Sequence, residues 1–280
     1  MASKQIARIR RRATQAYLDT PVATSTQEMR GTTARIEDEP LVDLIHAVQL
    51  EAGHADVSMA GMLFTGAVIP KGQVTVRQIA SLYVYENYLY AIEMNGAQLH
   101  EALEHAASFL QPWPFPSGEP VRLPSFSFDS AEGVNYTIDL RQPTGHRIVG
   151  LTFKGKPLAD TQKLRVALIN YRYSGGDNYM VYKGLPIVYR STEEIRDLII
   201  EHLARTRVIP TTSDHNWRIE PQEAVEALRR AALEQEKRAS ASAWNPSPNS
   251  VFLMLSLPEA RLDASMLARP QHEFFAASGN

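Results

Sequence analysis

The chain has 280 residues, 44% hydrophobic and 21% charged, with a formal net charge of −2 and no cysteine. The length suits one large domain or two small ones with ample chain for a core. The missing cysteine excludes a disulfide scaffold, thiolate metal sites and a cysteine nucleophile, and it leaves the redox compartment open. A near-neutral balance gives no general drive toward nucleic acid or membrane, and no apolar run is long enough to span a bilayer.

Residues 1–20 read as a short basic helix ending near Pro21, with Lys4, Arg8, Arg10, Arg11 and Arg12 uncompensated until Asp19. No apolar stretch follows, so this is not a secretory signal. Such a start resembles a transit peptide or a basic patch for an acidic partner, and a solvated first helix is the plain alternative. A Ser/Thr-rich linker is expected from Thr20 to Thr33. Leu41, Leu44, Ile45 and Val48 recur at helical spacing, with Gly53 as the cap. A strand follows over Asp56–Leu63, a loop from Gly66 to Gly72, and a short helix capped by Thr75.

Tyr88–Met94 is a strand turned at Asn95-Gly96, and Ala97–Leu110 is a helix. Five prolines between Pro112 and Pro124 predict a long loop. Strands are expected at Asn135–Leu140, Arg147–Phe153 and Lys163–Ile169, a helix at Thr192–Thr206 and a closing strand at Trp217–Ile219. Gln222–Ala241 reads as a charged helix, followed by a Ser/Ala/Pro/Asn-rich linker, an apolar run Val251–Leu255 and a tail read as partly disordered. The fold class is therefore α+β.

Eight histidines invite a metal search. His100 and His105 are five apart, about 140° around a helix, and cannot chelate one ion from one face. No D-x-H, H-x-H, N-H-E or N-H-D occurs. Ser213-Asp214-His215 holds triad residue types, but sequence neighbours do not form a triad and no G-x-S-x-G elbow exists.

The strongest local signal is Asn170-Tyr171-Arg172-Tyr173-Ser174-Gly175-Gly176-Asp177. One reading is a ligand edge: glycines admit close approach, tyrosine faces stack on a base, and a carboxylate accepts from two ribose hydroxyls. The other is a glycine turn whose aspartate caps its own backbone and whose tyrosines fill a core, and composition alone favours it. Tyr83–Tyr88 is a second aromatic patch with the same two readings. Arg35 either serves an anion at the first core helix or is a surface charge.

Ala55-Asp56-Val57-Ser58, Gly72-Gln73-Val74-Thr75-Val76, Tyr85-Glu86-Asn87, Met94-Asn95-Gly96-Ala97-Gln98-Leu99, Gly133–Leu140 and Ser174-Gly175-Gly176-Asp177 occur in that order. Together they resemble the C-terminal domain of 5′-nucleotidases and 2′,3′-cyclic-nucleotide 2′-phosphodiesterases, nearer the cyclic-nucleotide branch. The resemblance implies mixed sheets with flanking helices over residues 31–220. Residues 1–30 would be a basic linker helix, with Tyr17–Val22 like the family's interdomain junction, and 221–280 a helical extension and tail.

It further implies a base held between Tyr85 and Tyr171 and a ribose on Asp177. Arg35 would bind phosphate, and Gly175, Gly176, Asn87 and Asn170 would frame the site. The family's Asn and Arg ahead of the G-x-[IV]-T segment have no counterpart between Ala55 and Val76, where Phe64, Thr65 and Lys71 stand nearest. The family's hydrolysis belongs to an N-terminal metallophosphoesterase domain whose two metal ions activate water. Its motifs are absent from this sequence, so no cofactor is expected in the chain itself.

The expected function is nucleoside or nucleotide recognition for a nucleotidase-type phosphohydrolase, with catalysis from a metallophosphoesterase domain in trans or lost. A stand-alone binding module without turnover is the alternative, and an association domain a third. No nucleic-acid polymer and no membrane span are expected as partners. Localisation stays open: the relatives act outside the cytoplasm, whereas this sequence shows no export signal.

Overall fold

The computed structural model describes residues 2–241. The chain divides into two compact units, residues 1–237 and 238–280. All but the last turn of the final helix belongs to the first. The apolar run Val251–Leu255 and the tail lie outside the described residues.

In chain order the elements are α1 (Ala2–Leu18), β1 (Pro21–Ser25), β2 (Met29–Arg30), α2 (Pro40–Gly53), β3 (Val57–Ala60), β4 (Val68–Ile69) and β5 (Gly72–Thr75). Next come α3 (Val76–Leu82), β6 (Tyr88–Asn95), α4 (Gly96–Ala107), β7 (Ser130–Glu132), β8 (Val134–Asp139), β9 (Ile148–Phe153) and β10 (Lys156–Pro157). The last are β11 (Lys163–Ile169), α5 (Asn170–Tyr173), β12 (Ile187–Glu194), α6 (Ile195–Thr206), β13 (Trp217–Glu220) and α7 (Gln222–Ala241).

A central five-stranded sheet has the order β12-β6-β11-β3-β7, and a four-stranded sheet the order β10-β9-β8-β13. Each is antiparallel except for one parallel pair, β11 with β3 and β13 with β8. Two ribbons, β1-β5 and β2-β4, complete an α+β layout of mixed sheets and flanking helices.

The alternation along β11 divides the interior in two. Leu164, Val166 and Leu168 face a core shared with α4, the four-stranded sheet and α7. Ala167 and Ile169 face a second core built from α2, α3, α6 and the β1-β5 ribbon. With both faces covered, the strand becomes a near-continuous apolar run, as buried sheet interiors require. Side chains of this size contribute about 1.5–3 kcal/mol each on full burial.

Local chemistry explains the element ends. Asn95 does not turn the chain back, as expected, but caps α4: its Oδ1 accepts from Gln98 N–H, and Gln98 Oε1 accepts from Asn95 N–H, both at 2.9 Å. This reciprocal capping box satisfies two orphan donors. At α3 Gln78 Oε1 accepts from the Thr75 N–H at 2.8 Å and from the Thr75 hydroxyl. The cap of α2 falls on His54 at φ 45° rather than on Gly53. Gly53 instead lets the helix approach the sheet, where a Cβ would lie 3.3 Å from that of Ala167.

Three further expectations need correction. The Ser/Thr-rich stretch expected as linker carries β1 and β2, because Val22 and Ala23 are buried against the second core and pairing to β5 overrides composition. The loop expected between Gly66 and Gly72 holds β4. The helix expected from Thr192 begins at Ile195, and residues 187–194 form edge strand β12.

Candidate nucleotide-recognition cleft

Strand direction gathers the aromatic and glycine segments at one end of the central sheet. β3 and β11 run parallel, while β6 and β7 run against them. The segments leaving β3 (61–66) and β11 (170–178) therefore meet those entering β6 (83–87) and β7 (124–129). Loops on a rigid sheet end are where binding chemistry concentrates.

The Gly-Gly-Asp loop is held from beneath by a buried ion cluster. Arg172, 1% exposed, donates from Nε to Asp129 Oδ2 (2.7 Å) and from Nη2 to Asp129 Oδ1 (2.9 Å) and the Phe126 carbonyl (2.8 Å). Its Nη1 donates to Asp177 Oδ2. Burial acts to lower the guanidinium pKa, but the Asp129 charge and hydrogen bond outweigh it and raise it. The guanidinium also lies 4.9 Å from the Tyr179 ring centroid and 5.5 Å from that of Tyr171. His105 Nε2 bonds the Asp177 carbonyl at 2.9 Å, fixing the backbone as well.

Gly175 at φ 91°, Asp177 at 50° and Asn178 at 63° are left-handed, which shapes the loop into a tight cradle. At Gly176 a Cβ would lie 2.4 Å from Tyr171 Cε1, so the loop can lie against the tyrosine only as glycine. Tyr171 is half-buried, and its hydroxyl bonds Asp177; burial and then the Asp177 charge raise its pKa. Asp177 thus binds the core arginine and the neighbouring tyrosine rather than capping its own backbone. Among the tyrosines, Tyr179 and Tyr182 fill the core, whereas Tyr171 does not.

The two asparagines tie the frame together. Asn170 Oδ1 accepts from Tyr88 N–H at 2.9 Å, joining the entry of β6 to the start of α5. Asn87 accepts from Ile195 N–H through its carbonyl (2.9 Å) and donates from Nδ2 to the Tyr83 hydroxyl (3.4 Å). Tyr85, half-buried on this same segment, lies close enough to Arg35 to influence its charge. Arg35 donates from Nε to the Met62 carbonyl (2.7 Å), and from Nη2 and Nη1 to those of Leu63 (2.9 Å) and Pro124 (3.3 Å). Burial lowers its pKa to about 10. These bonds hold the guanidinium without neutralising it, and no carboxylate among the described residues pairs with it.

Sequence reasoning missed Arg172, Asp129 and His105. Arg172 stood inside the strongest motif and was the available signal, since a charge set between two apolar-flanked tyrosines needs a partner. Asp129 lies 43 positions away and had no signal of its own.

The α+β fold of mixed sheets, with the Gly-Gly-Asp loop, Tyr171 and Arg35 gathered at one sheet end, is that of a nucleotidase C-terminal domain. The chain belongs to the family described as 5′-nucleotidase, C-terminal domain, which residues 21–184 match. It is 27% identical to the 2′,3′-cyclic-nucleotide 2′-phosphodiesterase/3′-nucleotidase of Haemophilus influenzae, covering 75% of this chain and 38% of that protein. Over 73% of this chain and 16% of the relative it is 25% identical to the trifunctional nucleotide phosphoesterase protein YfkN of Bacillus subtilis. The fold is shared with a 5′-nucleotidase precursor from Thermus thermophilus (TM-score 0.64, 22% identity, 78% of this chain and 43% of that one). The chain therefore spans well under half the length of the relatives it matches.

Among the described residues, Asp38, Asp43 and Asp214 bring carboxylate oxygens within 4.8 Å of one another. None belongs to the residues named for nucleotide recognition. Asp38 accepts from His215 N–H at 2.7 Å and shares a hydrogen bond with Asp43. Burial, then the Asp38 charge, pushes the Asp43 carboxyl up to about 8, so the pair shares a proton near neutrality. The folded state retains this proton at pH values where the unfolded chain, with an ordinary carboxyl near 3.8, has lost it. The contribution is full below pH 4 and lost as pH rises through about 8. Asp43→Asn is accordingly expected to flatten the stability curve between pH 5 and 8 by up to about one proton. Urea unfolding of both proteins across that range checks it, and parallel curves would contradict the shared proton.

Proposed function

We propose that the cleft recognises a nucleoside or nucleotide. The base lies between Tyr85 and Tyr171, the ribose hydroxyls donate to the Asp177 carboxylate, and Arg35 meets a phosphate. The observation that carries the reading is the pairing of Asp177 with Tyr171: a buried arginine fixes a carboxylate beside a half-buried aromatic ring. Arg35 supports it as a guanidinium held by three carbonyls without a carboxylate partner. Gly175 and Gly176 bring backbone close to the ligand, while Asn87 and Asn170 hold the two tyrosine segments in place.

On this reading the chain is a recognition half. Hydrolysis, where it occurs, is assigned to a metallophosphoesterase domain in trans or lost, as the family resemblance implies. The chain's own groups bind and orient: the stacked base sets the register, Asp177 fixes the sugar, and Arg35 directs the phosphate outward. The names of the relatives, which process cyclic and 3′-nucleotides, agree with that substrate class.

Calorimetric titration with adenosine and AMP tests the reading. Tyr85→Ala and Tyr171→Ala are each expected to weaken binding by about 1–3 kcal/mol, the worth of one stacked base. Binding unchanged in both variants would remove the sandwich. Turnover of 2′,3′-cyclic AMP by the purified chain with manganese would overturn the assignment of catalysis to another domain.

A further inference from the structure

The nucleotide reading leaves the basic first helix unused. α1 meets the body at its C-terminal end. Leu18 is buried, and Arg77 of α3 donates to Gln15 Oε1 (2.9 Å) and Asp19 Oδ1 (2.7 Å). From Gln5 to Ala13 every described side chain is exposed. Ile6, Ile9 and Tyr17 are among the most exposed large apolar residues, at 51%, 60% and 54%.

At about 100° per residue, Ile6, Ile9, Ala13 and Tyr17 fall on one stripe. Arg10 and Arg12 flank that stripe on either side, and Arg8 and Arg11 lie opposite it. No acidic residue occurs before Asp19. The helix therefore presents an apolar seam bordered by cations along both edges.

That arrangement selects among occupants. A second copy of the helix laid on the seam would set Arg10 and Arg12 against their own counterparts. A nucleic acid would engage the arginines and leave the isoleucines wet. A lipid surface satisfies both chemistries at once, because the apolar stripe enters the acyl boundary while flanking arginines reach up to the phosphates. No helix among the described residues is long and apolar enough to cross a membrane, so the contact is a peripheral one.

We propose that α1 docks the chain on an anionic lipid surface, lying along it with Ile6 and Ile9 inserted and Arg10 and Arg12 paired with headgroup phosphates. The inference is independent of the nucleotide cleft.

Vesicle flotation of the full chain tests it, with phosphatidylcholine alone and with phosphatidylcholine containing about one-third phosphatidylglycerol. Binding is expected only to the anionic vesicles and falls with added salt. Arg10→Glu with Arg12→Glu is expected to weaken it about tenfold or more. Ile6→Ser with Ile9→Ser is expected to do the same with every charge retained. Both double variants should keep the wild-type melting curve, since the altered side chains are exposed.

Equal partition to neutral and anionic vesicles, or to neither, would overturn the proposal. So would an isoleucine variant that binds like wild type, which would assign the arginines to a polyanion such as DNA. A concentration-dependent dimer dissolved by the isoleucine variant would give the stripe to a second copy instead.

Discussion

Arg172→Met is expected to destabilise the chain by about 3–5 kcal/mol, because it strands Asp129, 3% exposed, as a buried charge without its partner. The loss should exceed that of deleting one neutral hydrogen bond, about 1 kcal/mol, several times over. The same substitution releases the Asp177 carboxylate and the Phe126 carbonyl, so residual folded protein should also lose nucleoside affinity. Urea unfolding measures the first effect. Adding Asp129→Leu to Arg172→Met should recover part of the stability, since removing both charges costs less than removing one. It should not recover affinity, because Asp177 stays unanchored. A loss under about 1 kcal/mol for the single variant would mean that water, not the protein, solvates this cluster.

Gly61→Ala is the second large expectation. A Cβ at this position would lie 2.2 Å from the Phe128 carbonyl oxygen and 2.8 Å from Asp129 Oδ1. The nearest obstacle is backbone, so it cannot rotate away, and the exit of β3 and the entry of β7 must separate. Overpacking of this kind costs about 1–3 kcal/mol, and more where a backbone must move. The location adds a functional consequence. Residues 62 and 63 hold Arg35, and residues 126 and 129 hold Arg172, so one methyl group disturbs both cations. Because Phe128 and Asp129 enter β7 beside the exit of β3, reduced stability in urea and weaker AMP binding are expected together. A variant within about 0.5 kcal/mol of wild type, the ordinary spread of surface substitutions, would show the two segments to be adjustable.

What the sequence revealed followed the strength of local signals. β11 was legible because Leu164–Ile169 is apolar, β-prone and bounded by turn residues, and α7 because its thin apolar stripe ran to its own ends. β12 was not, because its last residues, Ser191-Thr192-Glu193-Glu194, are polar like a helix start, and an edge strand buries too little to show alternation. β7 has three residues, and its existence depends on β3 beside it. β1 was masked by serine and threonine, whose linker-like composition says nothing of a pairing made with β5, fifty residues on.

The site divides in the same way. Tyr85, Tyr171, Asp177 and Arg35 were named through ordered motifs resembling one family. The Arg172–Asp129 pair that positions Asp177 was not named, since sequence rules place arginine outside unless a partner is known.

The most direct test of the cleft is a crystal structure of the chain with bound adenosine. Adenine is expected between the rings of Tyr85 and Tyr171 and both ribose hydroxyls on the Asp177 carboxylate, with Arg172 still joined to Asp129. Adenosine seated away from the two tyrosines, or with its sugar turned from Asp177, would contradict it.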